Sequence, residues 1–164
     1  MTLGAGGKDA LGAFPEAAAG EGSNVREMDD MTMRRRVREG RVGHLATVRA
    51  DGRPHVVPCC FTLGSHDEVV YSAVDAKPKS TLALRRLDNL RANPSASLLV
   101  DHFEEDWSAL WWVRIDGTAR IIGSGTEFDR AIAELTGKYE QYARHPPPGP
   151  VIAIDIRGWR AWPS

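Results

Sequence analysis

Apolar and polar positions alternate with a period of two through Val42–Val48 and again from His55 to Leu63, and an Asp51-Gly52 pair separates the two runs. Asp-Gly between alternating runs signals a hairpin, because glycine accepts the left-handed backbone that a tight turn needs. On the first run Val42, His44, Ala46 and Val48 share one face, while Leu45 and Thr47 take the other. On the second run His55, Val57, Cys59, Phe61 and Leu63 oppose Val56, Pro58, Cys60 and Thr62. Pro58 has no N–H to give to a ladder, so this strand lies at an edge or carries a bulge there. Both faces are largely apolar, which fits a barrel wall with a core inside and a partner or ligand outside.

The other segments follow the same logic. Asn24 is a good N-cap, and Val25, Met28 and Met31 recur at helical spacing, predicting a helix that Gly40 ends. Arg34-Arg35-Arg36 falls in its last turns, where positive charge suits the macrodipole; the triplet reads as a solvated helix end rather than a nucleic-acid patch. Val69–Val74 predicts a strand. Thr81 to about Ala92 predicts a helix with Leu84, Leu87 and Leu90 on one face, stopped by Asn93-Pro94. Ala96–Phe103 and Ala109–Ile122 predict two more strands, the second with a bulge or bend at Asp116-Gly117. Ser124 or Thr126 caps a further helix, whose stripe of Phe128, Ile132, Leu135, Tyr139 and Tyr142 is core packing. A stiff proline connector leads to a final strand, Val151–Ile156, and Gly158–Trp162 closes the chain. About six antiparallel-compatible strands with two or three helices predict a mainly β fold, a barrel or rolled sheet with peripheral helices.

Residues 1–23 are rich in Gly and Ala and poor in large apolar side chains, which predicts a disordered tail ahead of one domain over 24–164. The net charge of −1 supplies no field towards nucleic acid or an anionic membrane. No apolar run approaches the roughly 20 residues that span a bilayer, and no basic-then-apolar start suggests secretion. The two cysteines, Cys59 and Cys60, are adjacent and point to opposite faces of a strand, so a reduced, cytoplasmic setting is expected.

Several chemistries are missing from the pattern. No Gly-rich phosphate loop follows a strand, no serine elbow or HExxH motif is present, and the spacing of His44, His55, Cys59 and Cys60 fits no usual metal site. His44 reads as a satisfied wall residue. The informative segment is Lys77-Pro78-Lys79-Ser80-Thr81, which joins a strand to a helix N-terminus. Two ammonium groups, two hydroxyls and free N–H groups at a positive dipole end make an anion site, and Arg85 or Arg86 adds a bidentate clamp if it faces the same side. An ordinary solvated helix start has the same residues.

Val-Gly-His-Leu-Ala-Thr-Val, Asp-Gly-Arg-Pro-His-Val-Val-Pro, the Lys-bearing link, Asn-Leu-Arg-Ala-Asn-Pro and Asp-Gly-Thr-Ala follow one another along the chain. Together they resemble the pyridoxamine 5′-phosphate oxidase-like split β-barrel superfamily, specifically the actinobacterial branch of deazaflavin (coenzyme F420)-dependent oxidoreductases. The likeness runs from about Met28 to Trp162. It implies an FMN-binding-like split barrel, a homodimer with cofactor sites at its interface, and hydride transfer between the deazaflavin and a small-molecule substrate. It places the ring along Val56, Val57, Pro58 and Cys59 and the phosphate at Lys77, Lys79, Ser80, Thr81, Arg85 and Arg86. The stretch from Lys79 to Asn89 is longer than in common members, which leaves open which base meets phosphate. Trp107, Trp111 and Trp112 are expected at the dimer interface or the groove, and Trp159 and Trp162 at one end. His55, His102 or water are the candidates for a proton donor. Arg53, Lys77, Lys79, Arg85 and Arg86 together exceed the charge one phosphate needs, which favours F420 with its anionic tail over FMN. An FMN oxidase, or a non-enzymatic split barrel that stores or senses a flavin, haem or lipid, are the alternatives.

Overall fold

A computed structural model of the chain describes residues 28–74 and 81–162. Helix α1 (Asp30–Glu39) opens it, with Asp29 as N-cap: its Oδ1 accepts the Thr32 N–H at 2.8 Å. The helix therefore starts where a carboxylate meets a free first-turn N–H, and Asn24 lies outside the described residues. The order continues β1 (Gly43–Val48), β2 (Pro54–Cys59), β3 (Thr62–Leu63), β4 (Val69–Ala73), α2 (Thr81–Ala92), β5 (Ser95–His102), β6 (Trp111–Ile122), α3 (Thr126–Lys138), α4 (Glu140–Arg144) and β7 (Val151–Trp162). No helix among the described residues is long and apolar enough to cross a membrane.

The seven strands form one sheet in the order β2-β1-β5-β6-β7-β4-β3, with every pairing antiparallel. Its two edges, β2 and β3, are consecutive in the chain and separated only by Cys60 and Phe61, so the sheet rolls until they approach. The result is a split β-barrel with peripheral helices. What reads in the sequence as one strand from His55 to Leu63 is thus two, and Pro58 sits on the edge strand, where a missing N–H is tolerated.

The break is closed by a side chain from elsewhere. The Tyr139 hydroxyl accepts the Phe61 N–H at 3.0 Å and donates to the Phe61 carbonyl at 2.7 Å, supplying the partners that a ladder would have supplied. Inside the barrel, alternate residues of β1, β5 and β6, among them Leu45, Leu98, Val113 and Ile115, are fully buried with Phe61 and Ile154. On the opposite face of β4 and β7, Tyr71, Ala73, Val151 and Ala153 pack against Ala131, Leu135, Tyr139 and Tyr142 of the α3–α4 segment.

Two local expectations change. Neither Ser124 nor Thr126 caps α3 through its side chain; Gly125 stands at the N-cap with φ 98°, a conformation that favours glycine. The last strand does not end at Ile156 but runs to Trp162. It stays paired with β6 because the register shifts between Asp116, opposite Gly158, and Gly117, opposite Ile156, leaving Arg157 as the extra residue. Gly117 permits this approach, since a Cβ there would stand 2.4 Å from the Asp155 carbonyl oxygen.

Candidate functional site

The β1–β2 turn is closed by the Gly52 N–H donating to the Arg49 carbonyl at 2.9 Å, with Gly52 at φ 82°. Asp51-Gly52 thus makes the hairpin the alternation predicts, and the pair next to its turn, Thr47 and His55, meets α2. Asn89 of α2 donates through Nδ2 to Thr47 Oγ1 at 2.9 Å, and Thr47 Oγ1 lies 3.4 Å from His55 Nδ1. All three side chains are buried, so α2 is tied to the hairpin by a polar chain through the core edge.

Three guanidinium groups gather on this anchor. Burial first, then the charges of Arg49, Arg85 and Arg86, hold His55 below the ordinary histidine range. It therefore stays a neutral imidazole among cations. Arg86 is only 8% exposed, and the Nε atoms of Arg86 and Arg49 are both buried with no hydrogen-bond partner among the described residues. The nearby carboxylate of Asp51 is engaged by Arg53, whose Nε and Nη2 donate to its Oδ2 at 2.9 and 2.6 Å. Arg53, counted with the free bases in the sequence, is thus locally neutralised. Buried positive charge with orphaned donors is costly unless an anion completes it.

Of the predicted phosphate residues, Arg85 and Arg86 come together here, Arg85 exposed and Arg86 inside. Lys77, Lys79 and Ser80 lie outside the described residues, and Thr81 opens α2 about one helical turn before Arg85. Arg49 and the buried position of His55 were missed, because only the closed hairpin brings them over the helix.

A second feature lies on the outer face of β2, β1, β5 and β6. A cavity of 500 Å³ opens there, walled by Val56, Ala46, Leu99 and Trp112 with His44 and Arg114 at its polar edge. Val56 is 58% exposed and Pro58 is exposed on the same face, whereas Val57 and Cys59 turn inward, partly buried against the core. His44 Nδ1 lies 3.3 Å from Asp101 Oδ1. Asp116 accepts from Ser97 Oγ at 2.5 Å and from Arg114 Nε at 3.0 Å.

Next to this cavity, Phe103, Leu110, Trp111, Trp112 and Trp162 line a smaller hollow of 370 Å³, and Trp107 is exposed beside it. Trp111 and Trp159 are instead half-covered by α1, with the guanidinium groups of Arg36 and Arg34 stacked at 4.8 and 5.2 Å from their ring centres. Of the histidines named as proton donors, His55 belongs to the arginine cluster, and His102 pairs with Glu104 at 3.2 Å at the far end of β5. His44, read as a wall residue, is the one that faces the 500 Å³ cavity.

Residues 30–163 match the family model described as pyridoxamine 5′-phosphate oxidase. Among solved structures, a conserved hypothetical protein from Mycobacterium tuberculosis is similar over 83% of this chain and 85% of its own, at 21% identity and a TM-score of 0.67. A FAD-binding protein from Mesorhizobium loti is similar over 85% of this chain and 97% of its own, at 22% identity and a TM-score of 0.63. A haem storage protein from Vibrio cholerae covers 81% of this chain and 94% of its own, at 18% identity and a TM-score of 0.64. At these identities the likeness is one of fold. No curated protein matches the chain.

Proposed function

Because the chain belongs to the pyridoxamine 5′-phosphate oxidase family, we propose that it is an oxidoreductase using a phosphate-bearing flavin-type cofactor, specifically the deazaflavin coenzyme F420. Its substrate is an unsaturated or oxidised small molecule. The observation that carries this reading is the arginine cluster: Arg86 is buried and Arg49 half-buried, each with a buried, unpartnered Nε, around a neutral His55. A phosphate supplies both the missing charge and the missing acceptors. Arg49, Arg85 and Arg86 would hold it, with Lys77 and Lys79 on the adjoining link, and Val56 and Pro58 on the neighbouring edge strand would lie against the ring.

Bound there, the cofactor supplies hydride chemistry, and the protein supplies position, an apolar floor and fixed charge. Three guanidinium groups together with two lysines suit a cofactor carrying more negative charge than a single phosphate, which favours F420 over FMN. The fold shared with a haem storage protein supports a second reading, a non-catalytic carrier.

The test is fluorescence titration of purified protein with F420 and with FMN, and absorbance titration with haemin. We expect F420 to bind at least about tenfold more tightly than FMN, a difference of about 1.4 kcal/mol. The reverse preference moves the protein to FMN chemistry. Haemin binding with neither flavin overturns the oxidoreductase reading in favour of the carrier.

A further inference from the structure

The 500 Å³ cavity on the outer sheet face holds a titratable pair that the phosphate site does not use. His44 on β1 and Asp101 on β5 are diagonal neighbours: His44 is opposite Leu99 in the register, and Asp101 is the next outward-facing residue along. Their contact is Nδ1 to Oδ1 at 3.3 Å, and both side chains keep solvent access, at 44% and 43% exposure. An ionised carboxylate only accepts hydrogen bonds, so the tautomer that suits this contact has its proton on Nδ1 and an unprotonated Nε2. Arg114 on the cavity wall is engaged from outside the cavity by Asp116, to whose Oδ2 its Nε donates at 3.0 Å. What remains to meet a bound molecule is one imidazole nitrogen over a floor of Val56, Ala46, Leu99 and Trp112.

We propose that His44 is the acid–base residue of this cavity, with Asp101 as its positioning partner, and that the cavity takes a flat, largely uncharged aromatic or conjugated molecule with an ionisable oxygen. The floor is apolar and carries an indole, which suits a planar π-system. Asp101 lies against His44 and Arg114 is engaged by Asp116 beside the cavity, so the site offers little unpaired positive charge to select a strong anion. In the neutral form Nε2 takes a proton from a bound O–H; the imidazolium that results is held by Asp101 and releases the proton to water along its exposed edge. The reverse sequence delivers a proton to a bound oxygen. This inference rests on the proposed cofactor site only in that the molecule would lie beside the same Val56.

The test uses the ¹⁵N-labelled full chain without cofactor and 4-nitrophenol as the probe. Long-range ¹H–¹⁵N spectra should show His44 as the Nδ1–H tautomer, and saturating probe should shift its Nε2 while leaving His55 and His102 in place. His44→Gln should weaken the probe by about tenfold, the loss expected for one hydrogen bond to an ionisable group. Asp101→Asn should keep the probe bound but lose the single tautomer. An Nε2–H tautomer in the wild type, an Nε2 unmoved at saturation, no binding at millimolar probe, or unchanged affinity in His44→Gln each overturns the proposal. Arg86→Met should leave all these signals intact, so a failure of the phosphate site and a failure here are told apart.

Discussion

Replacing Arg86 with Met separates a ligand-binding guanidinium from a structural one. The side chain is 92% buried by its 8% exposure, its Nε has no partner among the described residues, and Arg49 and Arg85 are like charges around the same His55. An unsatisfied buried donor destabilises by about 1–3 kcal/mol, more when charged. Replacing buried ionic groups with apolar ones of like volume has been stabilising by about 1–4 kcal/mol. Met keeps most of the buried stem without the charge. In phosphate-free buffer Arg86→Met should therefore raise stability by about 1–3 kcal/mol, which for a chain of this size is about 3–9 °C in Tm. The assay is urea unfolding with and without inorganic phosphate. Wild type should gain about 2.7 kcal/mol when phosphate reaches about a hundred times its Kd, and the variant should gain almost nothing. Arg86→Met less stable than wild type without phosphate, together with equal phosphate effects on both proteins, would refute the reasoning and make Arg86 a scaffold residue.

Burial, with a smaller contribution from Arg41, lowers Lys138 to about 8 from the usual 10.5, so between those pH values the unfolded chain holds a proton that the folded chain has shed. Stability should therefore rise with pH across that window. Below it the charged amine is a standing penalty, partly offset by its position 4.1 Å over the Phe61 ring. After discounting for partial solvent access and the lost cation–π contact, Lys138→Met should stabilise by about 1 kcal/mol at neutral pH and flatten the alkaline rise in urea midpoints. Tyr139→Phe leaves the buried Phe61 N–H without its 3.0 Å acceptor and should cost about 1–3 kcal/mol by the same unfolding assay; a change of a few tenths would show that water replaces the hydroxyl. We also propose that two copies pair through the aromatic end of the sheet, beyond the His44 cavity, where Trp107 is 73% and Trp162 44% exposed. Light scattering should then give a dimer at micromolar concentration and a monomer for Trp162→Glu, and a wild-type monomer would count against it.

Much of the fold was legible before any coordinates, because it rests on short-range physics. Period-two alternation separated Leu45 and Thr47 from His44, Ala46 and Val48, and the structure buries the first set. Asp51-Gly52 set the hairpin, and Leu87 and Leu90 set the buried face of α2. Even the bulge at Asp116-Gly117 was marked, since glycine is where two strands can approach too closely for a Cβ. The strand-to-helix link likewise drew attention to Arg85 and Arg86, without saying which one is buried.

Tertiary structure decided what depends on residues distant in sequence. Whether the run from His55 to Leu63 is one strand or two turned on Tyr139, a residue 78 positions from Phe61. Arg49 drew no attention in the sequence; the closed hairpin carries it to His55, beside Arg85 and Arg86. Arg53 looked like a free base until Asp51 claimed it. His44 looked like a wall residue because alternation gives the face a side chain points to, but not what stands on that face. The register of β1 on β5 set Asp101 beside it on the wall of the cavity. Local pattern determines direction and burial one residue at a time; strand pairing and helix docking determine which charges share a space, and it is those juxtapositions that make a site.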